Sequence, residues 1–280
     1  MATTGEDRSG NHQVSTDSAA NSWPTPSQAE IALREGDGAG VKVAIIDSGV
    51  DCKHPDLNGL ELEDSVSVIA ERGRIAVREG EGFDIYGHGT AVAGLVRKVA
   101  PAATIGSFRV LDARNSSRSD IIRSGVQLAL DRGYQILNCS FGCVGSVRYI
   151  EKYKDWVDHS YLHGVHVIAA CSNNSMLEPE WPAYFTSVVS VNMARTDSDF
   201  VIHRPGQMVS FAARGEKVEV PWLDGKRRVE TGSSLATPTV SGYMARLISA
   251  FPDLSPAMAK ELLGRCAEPW QDEMRCGIEY

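Results

Sequence analysis

Short apolar runs punctuate the chain. Val41-Lys42-Val43-Ala44-Ile45-Ile46, Thr104 to Leu111, Gln135 to Cys139, Val165 to Ala170, Ser187 to Val191 and Met208 to Ala212 are largely apolar and rich in β-branched residues. Runs of this kind read as strands of a mostly parallel sheet, buried on both faces. Helical spacing fills much of the interval between them. Val240, Met244, Leu247, Ile248 and Phe251 recur at helical intervals, so 240–251 reads as a core-facing helix. Pro238 suits its first turn, whose amides have no intrahelical partner to lose, and Ser234 falls at or just before that turn. Further helices are predicted over 28–34, capped by Ser27 and stopped by Gly36, over the small-residue run opening at His88, from Ser119 or Asp120 to Leu130, and over 149–162 before Gly164. Lys217–Val220 and Arg227–Thr231 flank Asp224-Gly225, a hairpin signal. Residues 60–80 mix Glu61, Glu63, Asp64, Glu71 and Glu79 with Arg72, Arg74 and Arg78 and read as a solvated excursion. Strands alternating with helices predict an α/β fold with helices on both faces of the sheet and an antiparallel ribbon near its end.

Composition narrows the partners. A net charge of −8 over 280 residues argues against nucleic acid and anionic membrane surfaces. No apolar run approaches the ~20 residues that span a bilayer. Residues 1–22 are polar and nearly free of large apolar side chains, so 1–27 is expected to be a disordered tail, joined by a Pro-rich hinge to one domain over 28–280. Met1 to Gly10 lacks an apolar targeting core, which places the protein in the cytoplasm if Met1 is the native start. The six cysteines form no paired CxxC pattern. Cys139 and Cys171 read as buried thiols, and Cys266 and Cys276 could pair only in an oxidising compartment.

Four polar residues stand out because each follows a predicted strand or opens a predicted helix: Asp47, His88, Asn173 and Ser234. Each has an ordinary structural reading, as an Asx turn, a bonded core histidine, a loop amide and an N-cap serine. Together they hold the parts of acyl-transfer chemistry. A serine hydroxyl needs a base, a histidine serves near neutral pH, a carboxylate fixes the histidine tautomer, and an amide donor steadies the tetrahedral oxyanion.

The motifs around them carry a family resemblance. Ala44-Ile45-Ile46-Asp47-Ser48-Gly49, Gly87-His88-Gly89-Thr90-Ala91-Val92-Ala93-Gly94 and Gly232-Ser233-Ser234-Leu235-Ala236-Thr237-Pro238 resemble, in order and spacing, those of subtilisin-like serine proteases. Asn138 to Gly142, Ala169 to Asn173 and Trp181-Pro182-Ala183 match too, and the resemblance runs from about Gln28 to about Leu263. It implies a three-layer subtilisin-like fold and a serine endopeptidase acting on a peptide or protein through an acyl-enzyme. It makes Ser234 the nucleophile, His88 the base, Asp47 its orienting carboxylate and Asn173 the oxyanion donor with the Ser234 amide. Ser140, Phe141 and Gly142 would line an extended substrate.

Several departures bear on function. Ser172 replaces the glycine often found before the asparagine and would crowd the pocket beside it. Glu178 and Glu180 lie in the compact stretch expected to wall that pocket. One could face inward and favour a basic residue before the scissile bond, although acidic loop residues ordinarily face water. The segment 94–101 is too short for the calcium loop of many secreted members, so no metal cofactor is expected there. Asp56, which matches a ligand of that site, should be an ordinary turn or ion-pair residue; a weaker calcium site elsewhere stays open. His159 and His163 stand four apart without the glutamate of a zinc-protease helix and read as surface residues. The stretch before Val41 is shorter than the inhibitory pro-domains of secreted members, and by resemblance to intracellular members residues 1–27 are expected to lie near the cleft and restrain activity. Narrower readings are a leader-peptide maturation protease or macrocyclase; the rival from another class is a peptide-binding pseudoprotease.

Overall fold

The structure is a computed structural model that describes residues 23–57, 59–175 and 178–276. The described residues begin with α1 (Pro26–Glu35), β1 (Lys42–Asp47), the hairpin β2 (Leu62–Glu71) and β3 (Arg74–Glu79), α2 (His88–Val99), β4 (Thr104–Arg109) and α3 (Ser119–Asp131). It continues through β5 (Ile136–Cys139), β6 (Cys143–Val144), α4 (Ile150–Leu162), β7 (His166–Ala170), β8 (Glu180–Trp181), β9 (Val189–Ala194), β10 (Ile202–His203) and β11 (Phe211–Arg214). The ribbon β12 (Val218–Pro221) and β13 (Arg227–Glu230) precedes α5 (Ser233–Ala250), α6 (Pro256–Cys266) and β14 (Glu268–Pro269).

Among the described residues a ten-stranded sheet runs in the order β14-β10-β11-β9-β7-β5-β1-β4-β2-β3. Its pairs are parallel except β2 with β3 and β10 with β11. Alternation along β1 divides the interior, because successive side chains leave opposite faces. Val43 and Ile45 join Leu33, Val92, Val240 and Met244 on one face. Ala44 and Ile46 join Phe108, Val126 and Trp156 on the other. The result is a three-layer α/β architecture, with α1, α2, α5 and α6 covering one face and α3 and α4 the other. No helix among the described residues is long and apolar enough to cross a membrane.

The neighbouring order β7-β5-β1 positions the site. Asp47 ends β1, Ser140 follows β5 and Asn173 lies just past β7, so the three fall along one rim at the carboxyl ends of adjacent strands, where open α/β sheets gather their functional groups.

Some expectations shift. Residues 62–79 form an edge hairpin rather than an excursion, with Val66 and Val68 buried and Ile75 and Val77 exposed. The cap of α1 is Thr25, not Ser27: its Oγ1 accepts from Gln28 N–H at 3.3 Å while Gln28 Oε1 accepts from Thr25 N–H at 2.8 Å. Pro26 and Ser27 therefore belong to the helix rather than to the tail, whose residues 1–22 lie outside the described ones. Neither Ser119 nor Asp120 caps α3, whose N-cap is Arg118. β9 and β11 begin at Val189 and Phe211, later than the apolar runs suggest. Pro238 lies in the second turn of α5, not the first, because that helix starts at Ser233.

Candidate active site

The fully buried Asp47 is reached by the first residue of α2. His88 Nδ1–H points between its carboxylate oxygens, 2.9 Å from Oδ1 and 3.0 Å from Oδ2. Ser48 N–H also donates to Oδ1, at 2.7 Å. The glycines beside His88 serve close packing. A Cβ on Gly89 would fall 1.9 Å from Gly49 O, and one on Gly87, whose φ is +114°, would enter the Trp222 ring. His88 is consequently 8% exposed. Burial disfavours its charged form, but the Asp47 charge and hydrogen bond, aided by Asp84 and Glu230, outweigh that cost and hold its pKa above the usual histidine value. A base arranged this way keeps Nε2 free for a proton.

A second carboxylate fixes the helix that carries His88. Asp84 Oδ1 accepts from Ser48 Oγ and from the amides of Tyr86 and Gly87, and its Oδ2 accepts from the Thr90 amide and hydroxyl, all within 2.9 Å. Ser48 Oγ in turn accepts from Gly89 N–H at 3.0 Å. Sequence reasoning passed over Asp84. An acid just ahead of a helix start was the available signal.

Ser234 is the second residue of α5, so its amide belongs to the first turn, which lacks intrahelical acceptors. Asn173 is tied to the same turn, since its Oδ1 accepts from Ser233 N–H at 2.8 Å. Ser233 Oγ donates to Cys171 O at 2.6 Å. A Cβ at Gly232 would lie 3.2 Å from Ser234 Oγ and 3.5 Å from Asn173 Nδ2, which places hydroxyl and amide on the same side of that glycine. Pro238 has no N–H for the carbonyl four residues back, that of Ser234. Ser140 Oγ donates to it instead, at 2.8 Å, and accepts from Asn138 Nδ2 at 3.0 Å.

His88, Ser140, Phe141, Gly142, Ser172, Asn173, Glu180 and Ser234 line one cleft of about 370 Å³. Among the described residues no hydrogen bond joins Ser234 Oγ to the His88 ring; such bonds are often long before substrate arrives. Ser172 turns its hydroxyl aside, donating to Glu178 Oε2 at 2.9 Å and accepting from Asn174 N–H at 3.2 Å. Glu178 thus braces the wall, whereas Glu180 faces the cleft. Glu230, which sequence reasoning did not single out, lines the cleft as well.

The remaining candidates fall elsewhere. Asp56 receives Arg227 Nε and Nη2, each at 2.7 Å, and this pairing holds its carboxyl below the usual range. The His159 and His163 rings stack 4.1 Å apart, with His163 Nδ1 bonded to His159 O at 2.8 Å, a helix-end arrangement. Cys139 and Cys171 are buried, and burial pushes both thiols up, so neither is a ready nucleophile.

Known proteins resemble this chain along most of its length. The model of the subtilase family matches residues 38–276. Thermitase from Thermoactinomyces vulgaris is 29% identical over 243 residues, covering 81% of each chain. Subtilisin DY from Bacillus licheniformis is 28% identical over 256 residues, covering 86% of this chain and 88% of its own. A cold-adapted subtilisin-like serine proteinase of known crystal structure superposes with a TM-score of 0.64 at 26% identity, over 82% of this chain and 83% of that one. The chain belongs to the subtilase family, and it is a serine endopeptidase.

Proposed function

We propose that this endopeptidase cuts through an acyl-enzyme on Ser234. Ser234 Oγ attacks the scissile carbonyl carbon as its proton passes to His88 Nε2. The oxyanion takes hydrogen bonds from Asn173 Nδ2 and the Ser234 amide. The C–N bond then breaks as His88 returns the proton to the leaving amine. Water enters, His88 removes its proton, the ester opens, and Ser234 regains its hydrogen. Asp47 orients the ring and steadies the imidazolium. The observation that carries this reading is the pairing of His88 Nδ1 with both Asp47 oxygens at the cleft that also holds Ser234 and Asn173.

An extended peptide is proposed to lie along Ser140, Phe141 and Gly142, using backbone groups as an added strand would. No calcium is assigned to Asp56, because Arg227 answers its charge. Leader-peptide maturation, acyl transfer to an amine and cytoplasmic action are finer readings that hydrolysis does not require, and restraint by residues 1–27 falls mostly on residues outside the described ones; hydrolysis is the outcome proposed. A peptide-binding shell without turnover would need a gap in the set Asp47, His88, Asn173 and Ser234, and all four are present. The reading is tested by Asn173→Ala with an unstructured peptide substrate. Loss of the amide should lower kcat by roughly 10²–10³ with little change in KM. A change confined to KM would remove Asn173 from the oxyanion role.

A further inference from the structure

The cleft lining contains two carboxylates, Glu180 and Glu230, and no lysine or arginine among its described residues. The two acids differ in what answers their charge. Glu230 has Arg228 Nη1 3.5 Å from its Oε1. Among the described residues Glu180 is joined by no salt bridge, and its neighbour Glu178 is itself acidic. Its location is built rather than accidental. The short ladder β6–β8 sets Val144 opposite Glu180. The carboxyl group lies over Gly142, where an added Cβ would fall 2.4 Å from Cδ and 2.5 Å from Oε1. A side chain at position 142 would therefore evict it.

Two segments border this space, 140–142 and 170–174, and both are bonded to the Ser234 turn. Ser140 Oγ donates to Ser234 O, and Cys171 O accepts from Ser233 Oγ. A side chain entering between these segments, from a substrate residue whose carbonyl stood at Ser234, would meet Glu180, which shares the cleft lining with both. A half-buried carboxylate with no cation paired to it among the described residues is costly unless a bound group supplies one; burial, then Glu178, already raises its pKa.

We propose that Glu180 receives the side chain of the residue on the acyl side of the scissile bond (P1) and selects lysine or arginine there. This rests on the assignment of Ser234 as nucleophile made above. Glu178 acts on this selectivity indirectly, by bonding Ser172 and adding negative potential, and is a positioning residue.

The test uses the full chain and paired peptides that differ only at P1, lysine against norleucine, which has the same carbon chain without the ammonium group. The wild type should favour lysine in kcat/KM by about tenfold or more, and Glu180→Gln should bring the ratio to near unity or below. Equal or faster cleavage after norleucine by the wild type overturns the proposal, and this arm needs no variant to fold. An unchanged ratio in Glu180→Gln overturns it as well. Labelling of the wild type by a fluorophosphonate separates the two ideas. An enzyme that labels at Ser234 but ignores the ammonium group refutes the Glu180 assignment alone, whereas failure to label refutes the catalytic reading on which it rests.

Discussion

Removing the Ser140 hydroxyl should expose how Pro238 shapes the nucleophile turn. In an unbroken helix the amide at 238 would bond the carbonyl at 234; proline has no such amide, and Ser140 Oγ fills the place at 2.8 Å. Ser140→Ala strips that carbonyl of its donor and deprives Asn138 Nδ2 of its acceptor, at a cost of about 1–3 kcal/mol for each group left unpaired in the interior. The Asn138 side chain is fully buried and, among the described residues, keeps only the bond its Oδ1 accepts from Ser241 Oγ. Pro238→Ala returns a helical N–H to the Ser234 carbonyl but does nothing for Asn138. The cost of Ser140→Ala should therefore fall by roughly 1 kcal/mol when alanine stands at 238. The assay is a double-mutant cycle of urea unfolding in a Ser234→Ala background, which removes self-cleavage and leaves the backbone carbonyl in place. Additivity within about 0.5 kcal/mol would mean that Pro238 does not create the need for Ser140, and the reasoning would fail.

Other predictions concern catalysis. Because His88 is held above the ordinary histidine range and must be neutral to act as base, kcat/KM should fall with acid about a midpoint above ~6.5. Asp47→Asn should move that limb down and cut kcat by about 10⁴; a limb that stays in place would deny Asp47 its electrostatic role. Gly232 has φ 172°, extended backbone open to any residue, yet a Cβ there approaches Ser234 Oγ and Asn173 Nδ2. Gly232→Ala should leave Tm nearly unchanged while lowering kcat by up to about 10², and a fall in Tm without loss of kcat would contradict this geometry.

The sequence was most readable where burial is complete. The strands that became β1, β5 and β7 are apolar on both faces, so their runs marked them, and the polar residues beyond their ends marked the rim. The β2–β3 hairpin was missed because it lies at the sheet edge. Val66 and Val68 face the core, but the partner strand exposes Ile75 and Val77 among charged neighbours, and water on one side blurs the pattern. Thr25 outcompeted Ser27 as a cap because Gln28 stands three residues after it and completes the reciprocal pair. Asp84 escaped notice because its five hydrogen-bond donors come from loop and helix-start groups that meet only after folding. The direction of the Glu178 and Glu180 side chains was equally illegible. One bonds Ser172 and the other lies over Gly142, and that difference depends on how β8 pairs with β6.

The most direct test of the catalytic account is covalent labelling of the full chain with a fluorophosphonate, followed by peptide mapping. One label on Ser234, absent in Ser234→Ala and strongly slowed in His88→Ala, is the predicted result. An unreactive wild type, or a label that persists in Ser234→Ala, would contradict it.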